Sequence, residues 1–83
     1  MQNTARTATQ IGAIVRRARR ARHLSQMELG KKIGLRQATI SHLEKGEPAT
    51  QLSTFLDVLT ALNLELALTE RKPASKEDLE HIF

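Results

Sequence analysis

Residues 25–46, SQMELGKKIGLRQATISHLEKG, constrain the fold of this chain more than any other stretch. Ser25 followed by Glu28 has the spacing of a capping box, in which each side chain satisfies an orphan backbone N–H at a helix start. The pair predicts a helix from Gln26, with Met27, Leu29 and Ile33 as its apolar positions. Gly34 is placed to end that helix, since glycine takes the left-handed conformation at little cost. A second helix is expected from about Gln37 to Lys45, with Ile40 and Leu43 facing inward and Gly46 closing it. Two short helices joined by a glycine-containing turn match the helix-turn-helix that reads DNA.

Many small helical proteins contain such pairs and bind no DNA, so the residue detail has to decide. Gly30 and Ala38 are small where two helices are expected to cross closely. The positions left exposed, Gln37, Ala38, Ser41 and His42, are short or amide-like. A face selected only for solubility would carry Glu and Lys instead.

The run from Gln26 through Leu29-Gly30, Gly34-Leu35, Gln37-Ala38-Thr39-Ile40-Ser41 and Leu43-Glu44-Lys45-Gly46 resembles the Cro/repressor, or Xre-type, helix-turn-helix family. The resemblance covers about residues 8–62, with about a dozen positions agreeing in type and spacing. Gly30 departs from the family, which more often has alanine there. The exchange costs roughly 1 kcal/mol of helix propensity.

Charge agrees with a polyanionic partner. The net charge is +4, but residues 1–50 hold ten Lys/Arg against three acids, and residues 51–83 hold three against six. The helix-turn-helix lies in the basic half, as a phosphate-facing surface requires. Eighty-three residues make one small domain with a limited core. The absence of cysteine removes disulfides and thiolate metal sites. No apolar run has the length of a membrane span and nothing resembles a signal peptide, so a soluble cytoplasmic protein is expected. Catalysis is not expected either. His23, His42 and His81 fall on separate elements, no nucleophile or metal-ligand spacing appears, and no Gly-rich phosphate loop is present.

The basic charge is concentrated in a first helix, capped by Thr7 or Thr9 and running to about Arg22. Ile11, Ile14, Val15 and Ala18 form its apolar stripe. Arg16, Arg17, Arg19, Arg20 and Arg22 cover much of the remainder with no acid nearby. Any one of them reads as a solvated surface residue. Together, like charges three and four residues apart repel, a cost that DNA or acids of another chain would offset.

A fourth helix follows Pro48. Thr50 is its expected cap, Leu52, Phe55, Leu56, Leu59 and Leu62 its core stripe, and Asn63 its left-handed C-terminal residue. Residues 64–69, LELALT, change to alternation, the pattern of a strand. A lone strand needs a partner for its backbone groups. A two-fold dimer supplies one by pairing two copies antiparallel, with Leu64, Leu66 and Leu68 at the joint. The alternative is that the fourth helix continues through these leucines. The fold expected is thus mainly α: a lambda-repressor-like domain of four helices plus one C-terminal strand pairing across a dimer. Residues 1–7 form a flexible N-terminus, 8–69 the DNA-binding domain, and 70–83 a tail. In the tail, Ser75 and Asp78 suggest a last short helix carrying Leu79, Ile82 and Phe83. Eight residues do not hold a helix alone in water. This apolar end docks on its own core, docks on a partner, or stays disordered.

A Cro-type domain followed directly by a leucine strand and a polar tail resembles the HipB antitoxins of HipA-type kinase toxins. That resemblance implies a dimer that represses its own operon and holds a HipA-like kinase toxin. The apolar residues Leu79, Ile82 and Phe83 of the tail are the candidate partner surface, with the arginine-rich first helix as the alternative. The alternative is an Xre-family regulator with no toxin partner. In either case a palindromic double-stranded operator is the expected ligand. Arg36, Gln37, Ala38, Thr39, Ser41 and His42 are the expected base contacts, with Gln37 suited to adenine N6 and N7. Gln26 and Lys45 are the expected phosphate contacts.

Overall fold

The computed structural model describes residues 4–71. Four helices are present among the described residues: α1 (Ala8–Ala21), α2 (Gln26–Ile33), α3 (Gln37–Glu44) and α4 (Leu52–Ala61). Thr7, not Thr9, caps α1 by accepting the Gln10 N–H at 3.1 Å. The capping box of α2 is complete: Ser25 Oγ accepts from Glu28 N and Glu28 Oε1 accepts from Ser25 N, each at 3.0 Å. Gly34 ends α2 at φ 69°. Asn63 follows α4 at φ 56°, so the helix stops instead of running on through the leucines.

α3 packs on both α1 and α2, and α2 packs on α4. Val15, Leu29, Ile40, Leu43, Val58, Leu59 and Leu62 form the buried core, with Ile11, Ala18, Leu24, Phe55 and Leu64 partly buried around it. Every helix contributes to this core, so the recognition pair is held by α1 and α4 and not only by its own turn.

Four expectations need correction. Thr50 does not cap α4. Gln51 occupies that position without a side-chain bond, and Thr50 Oγ1 donates to the Glu47 carbonyl at 3.1 Å, inside the preceding turn. Leu52 and Leu56 are 65% and 41% exposed, while Val58 is fully buried, because α4 is rotated to aim its Phe55–Leu59–Leu62 side inward. Met27 is 53% exposed. Ala38 is exposed as well. The close helix crossing is at Gly12, where a Cβ would lie 2.4 Å from the Glu44 carbonyl oxygen. At Gly30 the expected close approach is present, since a Cβ there would lie 2.5 Å from the Leu35 carbonyl oxygen. The glycine that departs from the family pattern therefore lets the turn fold back tightly on α2.

Residues 64–71 have no regular secondary structure in the single chain. Leu64 packs partly against the core, but Leu66 and Leu68 are 50% and 91% exposed. Ser75, Asp78, Leu79, Ile82 and Phe83 lie outside the described residues.

Candidate nucleic-acid interface

The outer surface of α3 follows from its helical period. Ile40 and Leu43 point into the core. The opposite strip then holds Ala38, His42 and Lys45, all exposed, at the i, i+4, i+7 spacing of one helix face. Gln37 and Ser41 form a neighbouring strip, exposed and half-buried respectively. Thr39 is half-buried, and Arg36 is an exposed N-cap residue without a side-chain cap bond. The expected base-contact residues thus share one short helix and its entry. Most face solvent, with small, amide or imidazole groups that can approach base edges.

This surface rests on a buried polar mount that the sequence did not reveal. Arg19, counted among the surface arginines from its pattern, is only 8% exposed. Its Nε donates to Glu44 Oε2 at 2.6 Å, its Nη2 to Glu44 Oε1 at 3.0 Å, and its Nη1 to the Leu24 carbonyl at 2.7 Å. The two-pronged arrangement fits the planar guanidinium to the carboxylate. Burial pushes the Glu44 carboxyl up, but hydrogen bonds from Arg19 and Gln26 and nearby arginine charge outweigh it and hold it below the ordinary carboxylate value. Arg19 is pushed up, since the bond to Glu44 outweighs its own desolvation. Both groups stay charged. The clue available in the sequence was the position of Arg19, four residues after Val15 and one after Ala18, on the edge of the apolar stripe.

The mount continues to the recognition surface. Glu44 Oε1 also accepts from Gln26 Nε2 at 3.2 Å, and Gln26 Oε1 accepts from Gln37 Nε2 at 3.5 Å. A polar chain therefore runs from Arg19 on α1, through Glu44 on α3 and Gln26 at the start of α2, to Gln37 at the start of α3. The Gln26 side chain is committed to orienting Gln37 and Glu44. What remains for a phosphate is its second Nε2 hydrogen and the backbone N–H groups of Gln26 and Met27, since the Glu28 N–H is held by Ser25 Oγ. Lys45, exposed at the end of α3, has an ammonium with no ion-pair partner among the described residues for the same purpose. Among the described residues no group of His, Asp and Glu is placed to hold a metal ion.

Residues 15–68 match the helix-turn-helix family. The chain is 40% identical over 72 residues to antitoxin HipB of Escherichia coli strain K12, an alignment covering 87% of this chain and 82% of HipB. The chain belongs to the HipB family of helix-turn-helix antitoxins. As a member of that family it is a DNA-binding repressor. Solved HipB structures agree with it throughout the fold. A HipB–O4 20mer complex superposes with a TM-score of 0.79 at 36% identity, covering 87% of this chain and all of that one. A HipA–HipB–O2–O3 complex superposes with a TM-score of 0.78 at the same identity and coverage. The chain is also 40% identical over 68 residues to the uncharacterized HTH-type transcriptional regulator y4dL of Sinorhizobium fredii, of which it spans 35%. No helix among the described residues is long and apolar enough to cross a membrane.

Proposed function

We propose that two copies of this chain bind a palindromic operator in the cytoplasm, repress their own operon, and hold a HipA-like kinase toxin. The observation that carries the reading is the α3 surface, whose short polar side chains stand outward on a helix fixed from behind by the Arg19–Glu44 pair. Arg36, Gln37, Ala38, Thr39, Ser41 and His42 contact bases; Gln26 and Lys45 contact phosphates.

The dimer joins through residues 64–69. Beyond the Leu64 N–H, which donates to the Leu59 carbonyl, the backbone of residues 65–70 makes no hydrogen bond within the described chain. Pairing two such segments antiparallel satisfies these groups. It also covers Leu66 and Leu68, and the exposed Leu52 and Leu56 of α4 supply further apolar surface for a second copy. The two recognition helices then stand about 34 Å apart, one DNA turn. Residues 70–83 are the partner-facing tail, with Leu79, Ile82 and Phe83 as its anchors. The HipA–HipB–O2–O3 complex supports the partner class by similarity. A regulator without a toxin is the second reading, favoured by the similarity to y4dL.

The decisive experiment is footprinting of the purified protein on the DNA upstream of its own gene, with sedimentation of the free protein. Two half-sites one turn apart and a dimer at micromolar concentration are expected. Leu66→Asp should release monomers. A single half-site at saturation, or a monomer in the unmutated protein, overturns the dimeric operator model. Deleting residues 73–83 should spare operator binding and weaken capture of the product of the neighbouring gene. Unchanged capture removes the role of the tail.

A further inference from the structure

Among the arginines of α1, the buried Arg19 fixes the angular position of the others. With 3.6 residues per turn, Gly12 and Arg19 both point at α3, Gly12 against the Glu44 carbonyl and Arg19 against its carboxylate. Taking Gly12 as zero, Arg16 stands about 40° round, Arg20 about 80° and Arg17 about 140°. Arg16 and Arg20 therefore line the edge of α1 that borders α3, one helical turn apart, while Arg17 points away. All three are exposed, and none of their side chains makes an ion pair or hydrogen bond among the described residues. The nearby arginine charge at Glu44 includes that of Arg16, as this placement requires. No acid occurs between Ala8 and Leu24 to neutralise the row.

We propose that Arg16 and Arg20 grip the DNA backbone beside the groove that α3 enters, extending the contact past the recognition helix without reading sequence. The inference rests on the operator-binding reading and adds a surface to it. Two cations at i and i+4 sit about 6 Å apart, within arginine reach of neighbouring phosphates on one strand. Their bearing relative to α3 is set by the Arg19–Glu44 pair and the Gly12 contact, so when α3 is seated the row is carried to the flank of the same groove. Phosphates also relieve the like-charge repulsion that α1 carries when free.

The test measures binding as a function of salt, on a high-affinity duplex recovered by in vitro selection and on a random-sequence duplex of equal length. The variants are the double substitution Arg16→Gln/Arg20→Gln, and Arg17→Gln as the control that faces away. Each phosphate contact contributes a slope of about 0.9 in log K against log salt. The double variant should lower the slope by about 1.8 per protomer on both duplexes and leave the preferred sequence unchanged. Arg17→Gln should keep the parental slope, and melting temperatures should show that all variants fold. An unchanged slope in the double variant overturns the proposal, as does an equal loss in Arg17→Gln. Parental slopes together with lost binding to the co-expressed neighbouring gene product would assign the row to a protein instead. Failure of the unmutated protein to bind either duplex would count against the operator reading itself.

Discussion

Arg19 of α1 and Glu44 of α3 form a buried ion pair with two hydrogen bonds, and the same Glu44 oxygen that accepts from Arg19 Nη2 also accepts from Gln26. One carboxylate thereby joins three helices. Glu44 is the last residue of the recognition helix, so its position sets how far α3 stands out from the core.

Removing one member of this pair leaves the other charged and buried. Glu44→Leu or Arg19→Leu alone should cost roughly 3–5 kcal/mol of stability, read from denaturant midpoints. The double variant should recover much of that loss, because an apolar pair of similar volume is often neutral at a buried site. It should not recover base discrimination, since Gln26 has lost its acceptor. Full recovery of both stability and discrimination would show that the pair acts only in folding.

Gln37 and Lys45 should separate cleanly in binding. Gln37→Ala should cost roughly 1–3 kcal/mol and relax preference at one base position per half-site. Lys45→Ala should weaken all sequences alike and lower the salt slope by about 0.9 per protomer. A selection profile that changes equally in both variants would refute this division.

Gly12→Ala places a methyl group 2.4 Å from a backbone oxygen, which cannot rotate away as a side chain can. Separating α1 from α3 should cost about 1–3 kcal/mol, the range for overpacking. The same displacement stretches Arg19 from Glu44. Thermal melting should therefore show a large loss, while Ala13→Ser, at a neighbouring exposed position of α1, changes little.

Acid should destabilise the domain through two carboxylates. Glu44 and Glu28 both titrate below the ordinary value of 4.5 when folded: Glu44 because its hydrogen bonds outweigh its burial, and Glu28 chiefly because of its bond with the Ser25 backbone. A depressed folded pKa contributes stability that is present above the unfolded pKa and is lost as pH falls through the folded one. Stability should thus be level near neutrality and decline below about pH 4.5. Glu28→Gln should flatten part of that decline. A pH profile identical to the parent's would refute the assignment of Glu28.

The helix-turn-helix was legible in the sequence because its signals are local. The Ser25–Glu28 spacing, Gly34 and the Ile40–Leu43 pair each act within one turn of chain. The Arg19–Glu44 pair was not legible, since its members are 25 residues apart and arginine on a basic helix looks like surface. The side of α4 was misjudged at Leu52 and Leu56 because all its leucines look alike to a periodicity argument. Which of them face inward is decided by where α2 and Leu64 pack. A strand at 64–69 is a statement about two chains, and a single chain holds only half of the pairing it needs.

The polar chain that ends at Gln37 also separates what may vary from what must stay. Ala38, His42 and Lys45 are exposed and their side chains make no hydrogen bond or ion pair among the described residues, and substitutions at such exposed positions usually move stability by no more than about 0.5 kcal/mol. Arg19, Glu44 and Gln26, by contrast, change safely only in concert. On the proposed base contacts, a lineage carrying this domain can therefore drift from one operator to another through Ala38 and His42, one residue at a time, while its stability remains nearly constant.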